Sequence, residues 1–253
     1  MKLIFLGTGT SQGVPIIGCR CKTCVSQDSK DKRLRSSVYI QIGELHLVID
    51  TGPDFRQQML REQITKLDAI LFTHDHKDHT AGLDDVRAFN FLQKKHMEVY
   101  AEAYVLDTLK REFSYAFAKV KYPGVPKINL NKITNKTFRI NEIDIIPIRG
   151  IHFKLPVLGF RIENLAYITD MNFIENEELN KLYGLDVLVI NALRYEKHVS
   201  HFNYEEALAI IEKVQPKKAY LTHVSHALGK YSDLQPKLPK NVFLSYDGLT
   251  LNI

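Results

Sequence analysis

The sequence predicts an α/β chain in which two β-sheets pack face to face with helices over their outer surfaces. Strand-like runs crowd both ends of the chain, and amphipathic helical patterns fall between strands in each half. In addition, residues that ligate metals or carry protons repeatedly stand directly after a buried-looking strand.

Taken in order, "MKLIFLGTGTSQG" is a first strand ending in a glycine turn. "SVYIQIG" and "LHLVID" are adjacent strands joined at Gly43-Glu44, and "PDFRQQMLREQI" is a helix opened by Pro53. The strand "DAILFT" precedes a helix from about Thr80 to Gln93. Short strands follow at "EVYA", "EIDIIPI", "AYIT" and "DVLVI". "NYEEALAIIEKV" is an amphipathic helix, "KAYLTH" a strand, and "NVFLSYD" with "LTLNI" close the chain. The least regular segment, 110–137, carries aromatics and prolines without a period and is expected to form a lid over a pocket.

A length of 253 residues with 45% hydrophobic content supports one large domain or two small ones. No apolar run approaches the ~18 residues of a membrane span, and the N-terminal run is too short for a secretion signal, so a cytoplasmic location without membrane attachment is expected. The net charge of +5 favours acidic substrates, but Lys and Arg are scattered, so nucleic acid is not implied.

The most informative stretch is "AILFTHDHKDHTAG". A buried-looking run breaks into His74, His76, Asp78 and His79, spaced His-x-His-x-Asp-His. Imidazole and carboxylate together suit divalent first-row metals, and alternation along a loop aims His74 and His76 to one side and Asp78 and His79 toward a second position. Further candidates stand at strand ends: His152 in "IRGIHF", Asp170 in "AYITDMN" and His223 in "AYLTHVSH". Together they suit two metals sharing a carboxylate.

With Asp50 in "VIDTGPD" upstream, these motifs resemble the metallo-β-lactamase superfamily over essentially the whole chain, 1–253, as one domain. The resemblance implies a four-layer αββα sandwich. It implies that His74, His76 and His152 hold one metal, that Asp78, His79 and His223 hold a second, and that Asp170 bridges them. Asp50 then supports the metal loop, and Asp78 counts also as a catalytic residue. The aspartate at the bridging place is similar to the phosphodiesterases and thioesterases of the superfamily and argues against antibiotic hydrolysis.

Cys19, Cys21 and Cys24 in "GTGTSQGVPIIGCRCKTC" are the entire cysteine content. A Cys-x-Cys pair and an odd count argue against a disulfide framework. Three thiolates need a fourth ligand for tetrahedral zinc, and His226 in "THVSH" offers one. The stretch resembles the PhnP-type group, phosphoribosyl cyclic phosphodiesterases, in which three Cys and a C-terminal His bind structural zinc.

The expectation is therefore a hydrolase of small phosphate esters, cyclic phosphoribosyl-type esters included. It uses two divalent ions (zinc or manganese) with a bridging hydroxide, besides one structural zinc. His201, before the amphipathic helix, matches the position of the family's catalytic histidine and serves as general acid, with His198 as the competitor. Arg33 and Arg35 are candidates for the substrate's phosphate. The partner is a small-molecule ester; a homodimer is compatible with the sequence, which leaves the oligomeric state open. The alternatives are a tRNA 3′-processing nuclease, disfavoured by the absence of a long Gly/Pro-rich arm, and a non-hydrolytic PqqB-like protein, disfavoured by the intact ligand set.

Overall fold

Side chains alternate across a strand, so a continuous apolar run needs cover on both faces. A computed structural model describing residues Met1–Ile253 supplies that cover. In β1 (Lys2–Gly7), Leu3 and Phe5 enter one core while Ile4 and Leu6 enter another. The first sheet continues through β2 (Ser37–Ile42), β3 (Leu45–Ile49), β4 (Ala69–Leu71), β5 (Met97–Ala101) and β6 (Ile128–Lys132). The second holds β7 (Phe138–Ile140), β8 (Ile143–His152), β9 (Leu155–Ile162), β10 (Leu165–Ile168), β11 (Val187–Asn191), β12 (Lys218–Thr222) and β13 (Val242–Leu244). The last strand, β14 (Thr250–Asn252), returns to the first sheet beside β1.

The sheet orders are β14-β1-β2-β3-β4-β5-β6 and β13-β12-β11-β10-β9-β8-β7. Pairing is antiparallel from β14 to β3 and from β7 to β10, and parallel elsewhere. Between the sheets lies a core that includes Phe5, Leu47, Leu71, Phe160, Tyr167 and Val189. Outside the first sheet pack α1 (Phe55–Arg61), α2 (Lys77–Thr80), α3 (Arg87–Gln93), α4 (Ala103–Glu112) and α5 (Ser114–Phe117), with Phe55, Phe89, Leu109 and Ala116 in the outer core. Outside the second lie α6 (Asn176–Leu179), α7 (Tyr204–Val214) and α8 (Tyr231–Leu234), contributing Leu179, Ile211 and Leu234. Four layers result, helix–sheet–sheet–helix, as the sequence predicts.

Three departures have physical causes. The helix expected over 80–93 is broken, because the Gly82 amide donates to Thr51 O at 2.9 Å instead of continuing a helical ladder. A Cβ on Gly82 would lie 2.1 Å from Gly52 O, so the two glycines let the chain pack backbone to backbone. The segment 110–137 is mostly scaffold rather than a lid: it ends α4, forms α5 and supplies edge strand β6. Strand β9 has no counterpart in the sequence reading, since "LPVLGFRI" carries Pro156 and Gly159 and shows no alternation. Gly159 is there because a Cβ would meet Tyr167 O at 2.8 Å.

Gly159→Ala should therefore push β9 off β10 and lower stability by about 1–3 kcal/mol, read as a shift in the urea midpoint at constant slope; an unchanged midpoint would show that the strands absorb the methyl.

Candidate metal centre

Three parallel strands are followed by a residue with left-handed backbone: Asp50 after β3 (φ 65°), Asp170 after β10 (φ 54°) and His223 after β12 (φ 54°). Such a conformation costs a non-glycine residue about 1–3 kcal/mol and concentrates at functional sites. Here it turns each side chain back over the ends of the sheets. β4 delivers the metal loop, in which extended backbone at His76 leads into α2, so Asp78 and His79 lie on the helix's first turn. His152 comes from the end of β8.

These elements bring all seven predicted ligands together. Donor atoms of His74, His76 and His152 lie within 4.8 Å of one another, as do those of Asp78, Asp170 and His223. His79 Nε2 stands 3.2 Å from Asp78 Oδ2 and 3.2 Å from Asp170 Oδ2. Yet the Nε2 atoms of His74, His79 and His223 are buried without a hydrogen-bond partner. Metal–ligand bonds of about 2.0–2.2 Å set donors around one ion roughly 3–3.5 Å apart. The 3.2 Å separations about His79 Nε2 fall in that range.

The opposite ring nitrogens fix the tautomers. Thr73 Oγ1 donates to Asp50 Oδ2 (2.8 Å) and so accepts from His74 Nδ1 (2.9 Å). Ser36 Oγ donates to Gly9 O (2.9 Å) and accepts from His223 Nδ1 (3.1 Å). His79 Nδ1 donates to Asp50 Oδ2 (2.7 Å), and His152 Nδ1 to Ser200 O (2.7 Å). Each ring thereby keeps its Nε2 lone pair for an ion.

Electrostatics agree. Burial opposes charge on His79, yet the carboxylates of Asp78, Asp170 and Asp50 drive its pKa well above the ordinary histidine value. Asp170 is held well below the usual carboxylate range despite its burial, chiefly by His223 and His79. A buried set this rich in negative charge holds a cation, and a divalent ion can take the place of the proton.

The cysteine cluster forms a second site. Cys19 Sγ and Cys21 Sγ lie 3.3 Å from His226 Nδ1, and Cys24 Sγ lies 3.5 Å from it. Tetrahedral zinc with its usual bond lengths puts sulfur and nitrogen roughly 3.6 Å apart. The amides of Ile16 and Cys24 point at Cys24 Sγ and Cys21 Sγ respectively. Burial and the neighbouring thiols still push the Cys24 thiol up to about 11, as expected where several thiols crowd together, a repulsion that a cation among them relieves. Against the burial penalty, the Cys24 amide and the neighbouring donors hold the Cys21 thiol down to about 6.

Other predicted residues fare differently. His201 sits 3.6 Å from Asp170 Oδ1, with its ring 4.6 Å from that of His152; burial pushes its imidazole down to about 3, which Asp170 offsets only in part. The capping box of Asn203 and Glu206 fixes the start of α7 behind it. His198 lies further out, its Nδ1 taken up by Ser200. The phosphate role expected of Arg33 is corrected: the residue is 2% exposed and donates to Thr8 Oγ1 and Ser245 O. Arg35 is spent on Asp54 and on Ser11 O.

The sequence reading missed Thr73, Ser36 and the Ser200 carbonyl as ring anchors, and Thr108, whose hydroxyl donates to Asp75 Oδ2 at 2.8 Å and ties the metal loop to α4. One signal was available: Thr73, Thr169 and Thr222 each directly precede a candidate ligand.

Asp50→Asn places an amide nitrogen or a single oxygen against three donors. We expect metal affinity at the histidine-rich site to fall about ten- to a hundredfold, measured by competition with a chromogenic chelator; unchanged affinity would remove Asp50 as the loop's support.

Comparison with known proteins agrees with this geometry. The model of the β-lactamase superfamily domain matches residues 46–224. A diphosphatase of the PhnP family superposes with a TM-score of 0.93 at 38% identity, covering 99% of this chain and 96% of that one. The octanoyltransferase of Porphyromonas gingivalis is 40% identical over 98% of this chain, which spans only 51% of that relative's length. PqqB from Methylobacterium extorquens, solved with bound zinc, shares the fold at 19% identity and a TM-score of 0.80, covering 100% of both chains. Human tRNase Z, short form, does so at 18% identity and 0.72, covering 100% of this chain and 99% of its own. No helix is long and apolar enough to cross a membrane. The fold and its neighbours support a metal-dependent hydrolase, and the chain belongs to the metallo-β-lactamase superfamily, in its PhnP-like group.

Proposed function

We propose that the protein hydrolyses small phosphate esters, phosphodiesters and cyclic phosphates in particular, with two divalent ions at the histidine-rich site. The observation that carries this reading is the pair of donor clusters, His74 with His76 and His152, and Asp170 with Asp78 and His223, each with three ligand atoms within 4.8 Å. His74, His76 and His152 would hold one ion, Asp78, His79 and His223 the other, and Asp170 both. Such ions, zinc or manganese, supply Lewis acidity, which acidifies water toward neutrality and balances charge on phosphoryl oxygens. Cys19, Cys21, Cys24 and His226 would hold a third ion, a structural zinc.

The chain's own residues do the rest. Asp50, Thr73 and Ser36 orient the rings. His201, beside Asp170 and next in sequence to Ser200 at the opening, is placed to hand a proton to the departing oxygen. It does so once the negative charge of the bound phosphate raises its imidazole from the low value that burial sets. A diphosphate linkage is the second reading, favoured by the diphosphatase that superposes over nearly the whole chain. The acyl-transfer name of the Porphyromonas relative belongs to a chain about twice as long, and the donor set is complete within the half spanned here.

Protein purified without chelator should carry about three metals per chain, two reactive and one structural. Cys21→Ser should remove one and lower the melting temperature, with activity lost as a consequence of stability. Asp170→Asn should empty the reactive site while the cysteine site stays filled. A full metal count in either variant would exclude that residue as a ligand.

His201→Ala should keep its metals and lose about a hundred- to ten-thousandfold in turnover on esters with alkoxide leaving groups. On p-nitrophenyl esters the loss should be far smaller, because that phenolate leaves unprotonated. Equal losses on both would assign His201 to phosphate binding instead, and turnover of thioesters alone among the substrates tried would overturn the phosphoesterase reading.

A further inference from the structure

A cavity of about 540 Å³ opens beside the metal centre, lined by His76, His152, Phe153, Lys154, Leu155 and Val199 among others. Two of its walls are large apolar side chains that face water: Phe153 is 58% exposed and Val199 70%. Such surface is gained back only when something apolar covers it.

Phe153 is not on a loose loop. It forms the tip of the β8–β9 hairpin at φ 59°, a conformation that a bulky side chain adopts only under constraint. The constraint is visible: the Phe153 amide donates to Asn172 Oδ1 at 2.8 Å, and Ile151 exchanges backbone bonds of 2.9 Å with Asn172 and Phe173. The backbone of the hairpin tip is thus anchored to the segment that carries Asp170. Val199 precedes Ser200, whose carbonyl holds the His152 ring. The backbone beneath both walls is therefore tied to residues of the metal centre. Lys154 adds a cation 5.4 Å from the centre of the Phe153 ring.

From this arrangement we infer that the opening is a binding subsite for a planar aromatic group carried on the substrate, of the nucleobase kind, which stacks on Phe153 against Val199 and Leu155. Lys154 meets a phosphate oxygen of the same molecule. An aromatic ring on an anchored turn offers a face to any base, and a neighbouring ammonium supplies the charge that a phosphate needs. The inference rests on the phosphoesterase reading of the adjoining centre, and it narrows the substrates to nucleotide-like esters over bare sugar phosphates.

The test pairs binding with turnover, both on the metal-loaded protein. Binding of adenosine 5′-monophosphate, ribose 5-phosphate and octyl phosphate is measured by calorimetry. Adenosine 2′,3′-cyclic phosphate is then compared as substrate with the same cyclic ribose phosphate bearing methoxy in place of the base. The wild type should bind the nucleotide at least tenfold more tightly than ribose 5-phosphate and prefer the base-bearing ester by a similar factor, expressed in KM. Phe153→Ala should abolish both preferences while leaving the baseless ester within about twofold of wild type, and Phe153→Tyr should restore them. Equal binding of nucleotide and sugar phosphate, or tightest binding of octyl phosphate, overturns the subsite even if both esters are hydrolysed. If neither ester turns over but the nucleotide preference and its loss in Phe153→Ala persist, the subsite stands and the phosphoesterase reading falls.

Discussion

A carboxylate with no exposed surface holds this site together. Asp50 accepts from the Thr73 amide (2.9 Å), the Thr73 hydroxyl (2.8 Å) and His79 Nδ1 (2.7 Å). Burial alone raises its pKa, and these three donors are what keep the charged form tolerable. Through them the end of β3 is bound to the end of β4 and to the first turn of α2, so the metal loop cannot move without breaking a buried charge-assisted network. Thr73 passes the effect on to His74, whose free nitrogen faces the centre. A hydrogen-bond pattern set two layers deep thus fixes ring orientations that a solvent-exposed loop could not keep.

The second centre braces the first from the opposite side. The N-terminal glycine-threonine stretch pairs with the turn after β12: the Val224 amide donates to Thr8 O at 2.9 Å, and the Thr10 amide to Val224 O at 3.2 Å. His223 faces the histidine-rich cluster, whereas His226 faces the three thiols. One short turn therefore serves both centres, and Ser36, from the entry to β2, locks the His223 ring between them. An ion on the thiols would fix the loop that presents His223, which is how a structural metal acts on a reaction it does not touch.

Buried arginine chemistry shows how neighbours decide a residue's use. Arg33 and Arg35 read alike in "KDKRLRSS", a short basic run near a site that needs anion contacts. In the fold, Arg33 turns inward to Thr8 and the Ser245 carbonyl, and burial lowers its pKa while Asp247 and Asp31 oppose that loss. Arg35 faces outward onto Asp54. Both stand in isolated β-bridges, Arg33 with Val14 and Arg35 with Gly9, and it is the partners within reach that separate their uses. Neither fate was legible from charge.

The sequence by itself determined the layers and the donors. Apolar runs at 3–6, 187–190 and 219–221 demand cover on both faces, because alternation is a local property of the extended chain, and the two sheets with their outer helices follow from it. The His-x-His-x-Asp-His loop, the strand-end residues Asp50, His152, Asp170 and His223, and the three cysteines are equally local facts of residue type and spacing. Tertiary structure decided everything that depends on convergence. Residues 50, 74, 152, 170 and 223 meet because the parallel strands β3–β4 and β10–β11–β12 end at the same rim, in a register that no local pattern specifies. Strand β9 could not be read because Pro156 and Gly159 obey the approach of Tyr167 from a neighbouring strand rather than any propensity of their own. The free ring nitrogens, the burial of Arg33 and the anchoring of the Phe153 amide on Asn172 share that cause: each is set by atoms distant in sequence, and only the packed chain brings those atoms within reach.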